Sequence, residues 1–170
     1  MTQNIDSKSL QGQHQHRNCI DHALQTAEQI CLKKNVRLTE IRKHILKLIC
    51  ANHKAIGAYE LLDLFREQEP KAKPVTIYRA LDFLMDAGLV HKIESLNAFI
   101  ACLQAEHQHK SAILICDQCK NAYEIDATSV YENLFSLSEA VKFKPQYLTL
   151  ELHGICASCQ KVPPPPLTSV

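Results

Sequence analysis

Two cysteine pairs, Cys116-Asp-Gln-Cys119 and Cys156-Ala-Ser-Cys159, have the spacing of metal ligands. Two residues between cysteines let both thiolates point at one ion about 2.3 Å away, and two such turns supply the tetrahedral sulfur set that suits Zn²⁺. The 36 residues between the pairs are enough to form elements that bring the turns face to face. Four sulfurs leave no open position, so the expected zinc is structural. A redox CxxC is the competing reading, but such motifs usually occur singly near a βαβ unit. Cys19, Cys31 and Cys50 fall on helical segments and read as small core residues.

A second group is less obvious. His91, Cys102, His109 and Glu124 include the residue types of a mixed metal site, and His107 is as good a candidate as His109. Each alone is ordinary: a surface histidine, a buried cysteine, an exposed glutamate. Spacing leaves their convergence on one ion open. A zinc enzyme would need a vacant metal position and a general base, and no nucleophile constellation accompanies these residues. No stretch approaches the roughly 20 apolar residues that cross a bilayer. Met1 to Asn18 is polar and lacks the apolar centre of a signal peptide. A cytoplasmic chain with reduced thiols, no membrane and no small organic substrate is expected.

The elements that must position these residues change character once along the chain. With 170 residues, 46% hydrophobic and 22% charged, the composition is that of an ordinary folded protein. Residues 1–18 and 162–170 have few apolar positions and are expected to be disordered tails. Helical periodicity runs through four blocks: Ile20 to Asn35, a second from an N-cap at Thr39, Ala58 to Gln68 ahead of Pro70, and a fourth between Pro74 and Gly88. In the fourth, Ile77, Leu81 and Leu84 share one face, leaving Thr76, Tyr78, Arg79 and Asp82 outward. Leu89 to Glu94 and Ala98 to Leu103 then read as a hairpin. This order suits a winged helix-turn-helix, and an all-helical bundle with a small ribbon fits nearly as well.

Beyond the His-rich link Glu106 to Lys110 the period becomes strand-like at Ala112–Cys116, Ala122–Asp126 and Gln146–Leu152. A helix is expected from Thr128 to Val141, with Val130, Leu134, Leu137 and Val141 on one face. A β-β-α-β unit of about 60 residues needs a metal, a partner or both to hold its core. The expected division is 19–103, a hinge at 104–110, and 111–161. Residues 1–92 carry 14 Lys/Arg against 10 Asp/Glu, and residues 93–170 carry 5 against 8, a mild asymmetry that suits one end facing a polyanion.

The chain resembles the ferric uptake regulator superfamily, and within it the zinc uptake regulators, from about Ala27 to Cys159. The likeness is carried by Asn35-Val-Arg-Leu-Thr39, Leu61-Leu-Asp-Leu-Phe-Arg-Glu67, Lys73-Pro-Val-Thr-Ile-Tyr-Arg-Ala-Leu-Asp-Phe-Leu84 and Gly88-Leu-Val-His-Lys-Ile-Glu-Ser95, followed by the two CxxC pairs. It implies an α+β protein: an N-terminal winged helix, a hinge and a small α/β dimerisation domain with a structural zinc site. It also implies a homodimeric, zinc-responsive repressor of zinc uptake genes, with about two zinc ions per subunit. His91, Cys102, His109 and Glu124 match the zinc regulators' sensing site.

Ferric regulators carry a denser histidine run close to the first CxxC. Here six residues separate His109 from Cys116. A thiolate from Cys102 beside imidazole and carboxylate favours Zn²⁺ over Fe²⁺ or Mn²⁺. An iron, manganese or peroxide sensor, or a zinc-storage protein, is the alternative. For duplex DNA, Arg79 is expected to read a base edge or clamp a phosphate, and Tyr78 to pack on a thymine methyl. Thr76 lies near a helix N-terminus, where a phosphate can bind. Lys73, Arg37, Thr39 and Arg42 read as backbone anchors, and Tyr59 resembles a DNA-contacting tyrosine of the zinc branch.

Overall fold

The computed structural model describes residues 16–51, 54–102, 105 and 110–161. Of the expected hinge, residues 104 and 106–109, His107 and His109 among them, lie outside this set, as do residues 1–15 and 162–170. Four helices come first: α1 His16–Lys33, α2 Glu40–Ala51, α3 Ala58–Arg66 and α4 Pro74–Ala87. Helix α1 starts ahead of the expected Ile20, inside the stretch read as a tail. Helix α3 ends at Arg66, two residues before the expected Gln68.

Helix α4 is bounded as its end residues require. Pro74 occupies the first turn, where a missing N–H costs nothing. Gly88 takes the left-handed conformation at φ 78°, and Leu89 N–H returns to Leu84 O at 2.9 Å, closing the helix C-terminus. The Lys34 ammonium also donates to Ala87 O at 2.9 Å. Ile77, Leu81 and Leu84 are fully buried among α2, α3 and the strands that follow. Each contributes up to about 1.5–3 kcal/mol by leaving water.

The hairpin β2 Val90–Ile93 and β3 Ala98–Ala101 gains a third strand, β1 Ile56–Gly57, on the far side of β3. Two residues are too few for periodicity to reveal. Both faces of this wing are covered. Val90, Phe99 and Ala101 pack on the helices, while Ile93 and Ile100 turn to the second sheet.

That sheet comprises β4 Ser111–Cys116, β5 Ala122–Asp126 and β6 Glu151–Gly154, in the order β5-β4-β6. β5 is antiparallel to β4, and β6 is parallel to it. Helix α5, Thr128–Ala140, makes the crossover, and the short helix α6, Ala157–Gln160, ends the described chain. The expected strand from Gln146 is corrected to Glu151–Gly154. Ladder pairing begins with Ile113 opposite Glu151, while the Tyr131 hydroxyl donates to Leu148 O at 3.0 Å and holds that segment aside. The apolar face expected on α5 is present but uncovered in the single chain, with Leu137 66% exposed and Tyr147 beyond it 86% exposed.

Candidate metal centres

Parallel pairing of β4 with β6 brings the two CxxC turns together. It puts the C-terminal ends of both strands side by side, with Cys116 opposite Gly154. Cys116 N–H and carbonyl close the first turn through Asn121 and Lys120, the latter at φ 60°. Cys156 caps α6, whose single turn carries Cys159. The four sulfurs lie within 4.8 Å of one another, and Cys119 Sγ is 3.8 Å from Cys156 Sγ. Ligands about 2.3 Å from a tetrahedral ion stand about 3.8 Å apart, so the set fits zinc.

The thiols differ in acidity. Cys116 is lowered to about 6 by N–H groups of Cys119, Cys156 and Gln118 around its sulfur, which outweigh burial. Cys159 is pushed up to about 12, first by burial and then by the neighbouring thiols. The Cys159 N–H lowers Cys156 as well, while burial raises Cys119, so two thiolates are favoured and a cation is what lets the other two ionise beside them.

The second cluster joins three strands of two sheets. β2 presents His91 on the same face as Ile93, because side chains alternate along a strand. Cys102 extends the β3 ladder by one bond, its N–H donating to Leu89 O at 2.9 Å, on the face shared with Ile100. Glu124 comes from β5, opposite Ile113. His91 Nε2 is 2.8 Å from Glu124 Oε1, and Cys102 Sγ is 3.9 Å from the same oxygen. The Glu124 side chain is only 2% exposed and His91 Nε2 is wholly covered. Burying a carboxylate there calls for compensating positive charge. One imidazole, one thiol and one carboxylate form a borderline-soft donor set that fits Zn²⁺. The sequence-expected fourth donor, His109, lies outside the described residues.

Of the candidate anchors on the helical half, Arg79, Tyr78, Lys73 and Arg37 are exposed, and Thr76 and Thr39 half-buried. Tyr59 is 68% exposed at the start of α3 rather than tucked into the core. Arg42 is half-buried. Its guanidinium sits 3.4 Å over the Phe83 ring and donates to Arg37 O, so it braces the segment before α2. Sequence reading missed a group at the wing turn: Ser95, Asp117, Glu151 and His153. The one available signal was Glu151-Leu-His153, two polar residues sharing a strand face.

Fold and sites define a winged-helix protein whose wing rests on a metal-ligating sheet unit. The ferric uptake regulator family model matches residues 33–153, and the chain belongs to that family. It is 46% identical over 140 residues to the zinc uptake regulation protein of Escherichia coli K12, covering 82% of each chain. A solved zinc uptake regulator complexed with zinc and DNA superposes with TM-score 0.79 at 41% identity, covering 88% of this chain and 98% of that one. Holo XcZur superposes at 0.77 and 44% identity, covering 84% and 99%. Apo XcZur, 43% identical over the same shares, reaches only 0.50.

Proposed function

We propose that this chain is a zinc-responsive, sequence-specific repressor of zinc uptake genes, acting in the cytoplasm as a homodimer on operator DNA. It is a regulator and not an enzyme. The observation that carries the reading is the cluster of His91, Cys102 and Glu124, whose donors come from both the wing and the C-terminal sheet. Cys116, Cys119, Cys156 and Cys159 would hold one zinc per subunit. His91, Cys102 and Glu124, with His109, would hold a second.

Zinc at the second site supplies the positive charge that neutralises a thiolate and a buried carboxylate together. Everything else is done by the chain. β2 and the end of β3 bring two donors, and β5 brings the third, so closing the cluster ties the wing to the sheet. With the wing held, α4 is held too, because Val90 and Phe99 pack in the helical core. Tyr78 and Arg79 then face a major groove, with Lys73, Tyr59, Arg37, Thr39 and Thr76 toward the backbone. The likeness to the holo and DNA-complexed relatives, stronger than to the apo one, supports this arrangement as the binding form. The uncovered apolar face of α5 supports a second copy of the chain as its partner.

Zinc and operator must then strengthen each other's binding by one common factor. The test is fluorescence anisotropy of a pseudo-palindromic duplex with zinc added and then chelated. Binding that appears with zinc, reverses with chelator and is lost in Cys102→Ser supports the reading. Equal response to iron or manganese at matched free concentrations overturns the choice of metal. Metal uptake without duplex binding overturns the repressor.

A further inference from the structure

The wing turn carries backbone donors that its own ladder does not use. One carboxylate takes two of them: Glu94 N–H donates to Glu151 Oε1 at 2.6 Å, and Ser95 N–H to Glu151 Oε2 at 3.1 Å. These partners are 57 and 56 residues apart in sequence and belong to different sheets. Two residues further along β6, His153 repeats the reach. Its Nε2 is 3.0 Å from Ser95 Oγ, and its Nδ1 is 3.0 Å from Asp117 Oδ1. Asp117 is anchored in turn, its N–H donating to Gly154 O at 2.8 Å.

Sheet register shows what this contact adds. Ile113 of β4 is opposite Glu124 on one side and Glu151 on the other, so the three form a row across one face. The next row is Ala122, Ile115 and His153. Between the two carboxylates, Ile113 and Ile115 pack against Ile93 and Ile100 of the wing in an apolar seam. Glu124 meets the wing at His91, and Glu151 meets it at the turn. These attachment points are two strands apart, about 10 Å. A body held at one point swivels about it. Held at two, with a packed surface between, it keeps one orientation.

We propose that Glu151 and His153 form a metal-free clasp on the wing turn, a second attachment that converts the metal bridge from a swivel into a fixed orientation of the DNA-binding half. They are positioning residues, Glu151 acting through the Glu94–Ser95 backbone and His153 through the Ser95 hydroxyl. Although burial pushes the Glu151 carboxyl up, the Ser95 hydroxyl and the two N–H groups hold it below the usual range, as expected for an acceptor whose charge is used. The order Ser95–His153–Asp117 is also that of a hydrolytic relay. Here the Ser95 hydroxyl meets the Glu151 carboxylate, whose charge opposes an alkoxide, so the chain of bonds holds rather than attacks.

The proposal rests on the interdomain zinc reading, and its readouts separate the two. Because closing the clasp lessens the ordering left for the metal cluster, Glu151→Ala should weaken zinc binding at the second site roughly fivefold to thirtyfold, with operator affinity falling in parallel. Zinc affinity is read by chelator competition on the dimer loaded at its four-cysteine site, and the Glu94 and Ser95 amides by hydrogen exchange. Wild type should show both amides protected. Glu151→Ala should lose that protection while keeping its four-cysteine zinc, and Glu151→Gln, retaining one acceptor oxygen, should fall between. His153→Ala, which spares the two amide bonds, should weaken second-site zinc less than Glu151→Ala and serves if the latter fails to fold. Unchanged second-site affinity in both variants overturns the clasp, as does unprotected wild-type turn backbone. Failure of wild type to bind any duplex would overturn the repressor reading, yet leave zinc affinity and exchange to decide the clasp.

Discussion

The two candidate metal clusters are built on opposite plans. Cys116, Cys119, Cys156 and Cys159 all lie at one end of one sheet, two in a β-turn and two around a single helical turn. Their donors move together, and an ion there ties one small unit to itself. His91, Cys102 and Glu124 come from three strands of two sheets. Their donors come together only when the wing is seated. A site whose ligands share one rigid element suits permanence; a site whose ligands belong to separable bodies can report whether those bodies are joined.

Four measurements sharpen or break that contrast. The largest effect should come from Cys156→Ser, which removes one of four sulfurs and exposes a unit too small to hold alone. Structural zinc in small domains is worth on the order of 10 kcal/mol, so this variant should lose the cooperative thermal unfolding of the C-terminal half and its zinc. A variant that unfolds like wild type would show the four-cysteine site to be dispensable. Next, Cys102→Ser should keep the fold and the first zinc but weaken the second by more than about a hundredfold, since even outer-shell changes cost 10–100-fold. His109→Ala should follow it, and His107→Ala should not. If the two histidine variants are equal, the fourth donor is shared between them.

Third, Arg79→Ala should cost about 1–3 kcal/mol of specific operator binding and relax sequence preference. Lys73→Ala should weaken all duplexes alike and reduce the salt slope by about one. Equal losses on random DNA would make Arg79 a phosphate contact. The smallest effect concerns acid. Glu151 ionises more readily in the folded chain than at its ordinary 4.5, so its contribution is complete above that value. It is lost as pH falls through the lowered folded value. Protection of the Glu94 and Ser95 amides should therefore fade below about pH 4.5 in wild type, while Glu151→Ala shows no such step.

Much of the fold was legible because it is written locally. Pro74 and Gly88 mark the ends of α4 whatever surrounds it, and Ile77, Leu81 and Leu84 mark its buried face. The four-cysteine set was legible for the same reason: a CxxC turn shapes itself. The second cluster was only a list of residue types until strand register joined it. The parity that puts His91 on the face of Ile93 is visible in sequence, but which surface that face meets is not. Strand β1 was missed because two residues carry no period. The segment before β6 was misread because Leu148, Leu150 and Leu152 alternate like a strand, while the Tyr131 hydroxyl claims a carbonyl that a ladder would need.

By itself, then, the sequence determined the four N-terminal helices, the crossover helix, the wing hairpin, the two CxxC turns and the family, since all of these depend on neighbours within a turn or a strand. Tertiary structure alone decided that β6 runs parallel to β4, and hence that the two CxxC turns meet. It also decided that Glu124 and Glu151 flank Ile113 and reach the wing from both sides. The physical reason is that pairing partner and register are settled by packing across the sheet, where Ile93, Ile100, Ile113 and Ile115 exclude water together. No single segment of chain holds that information.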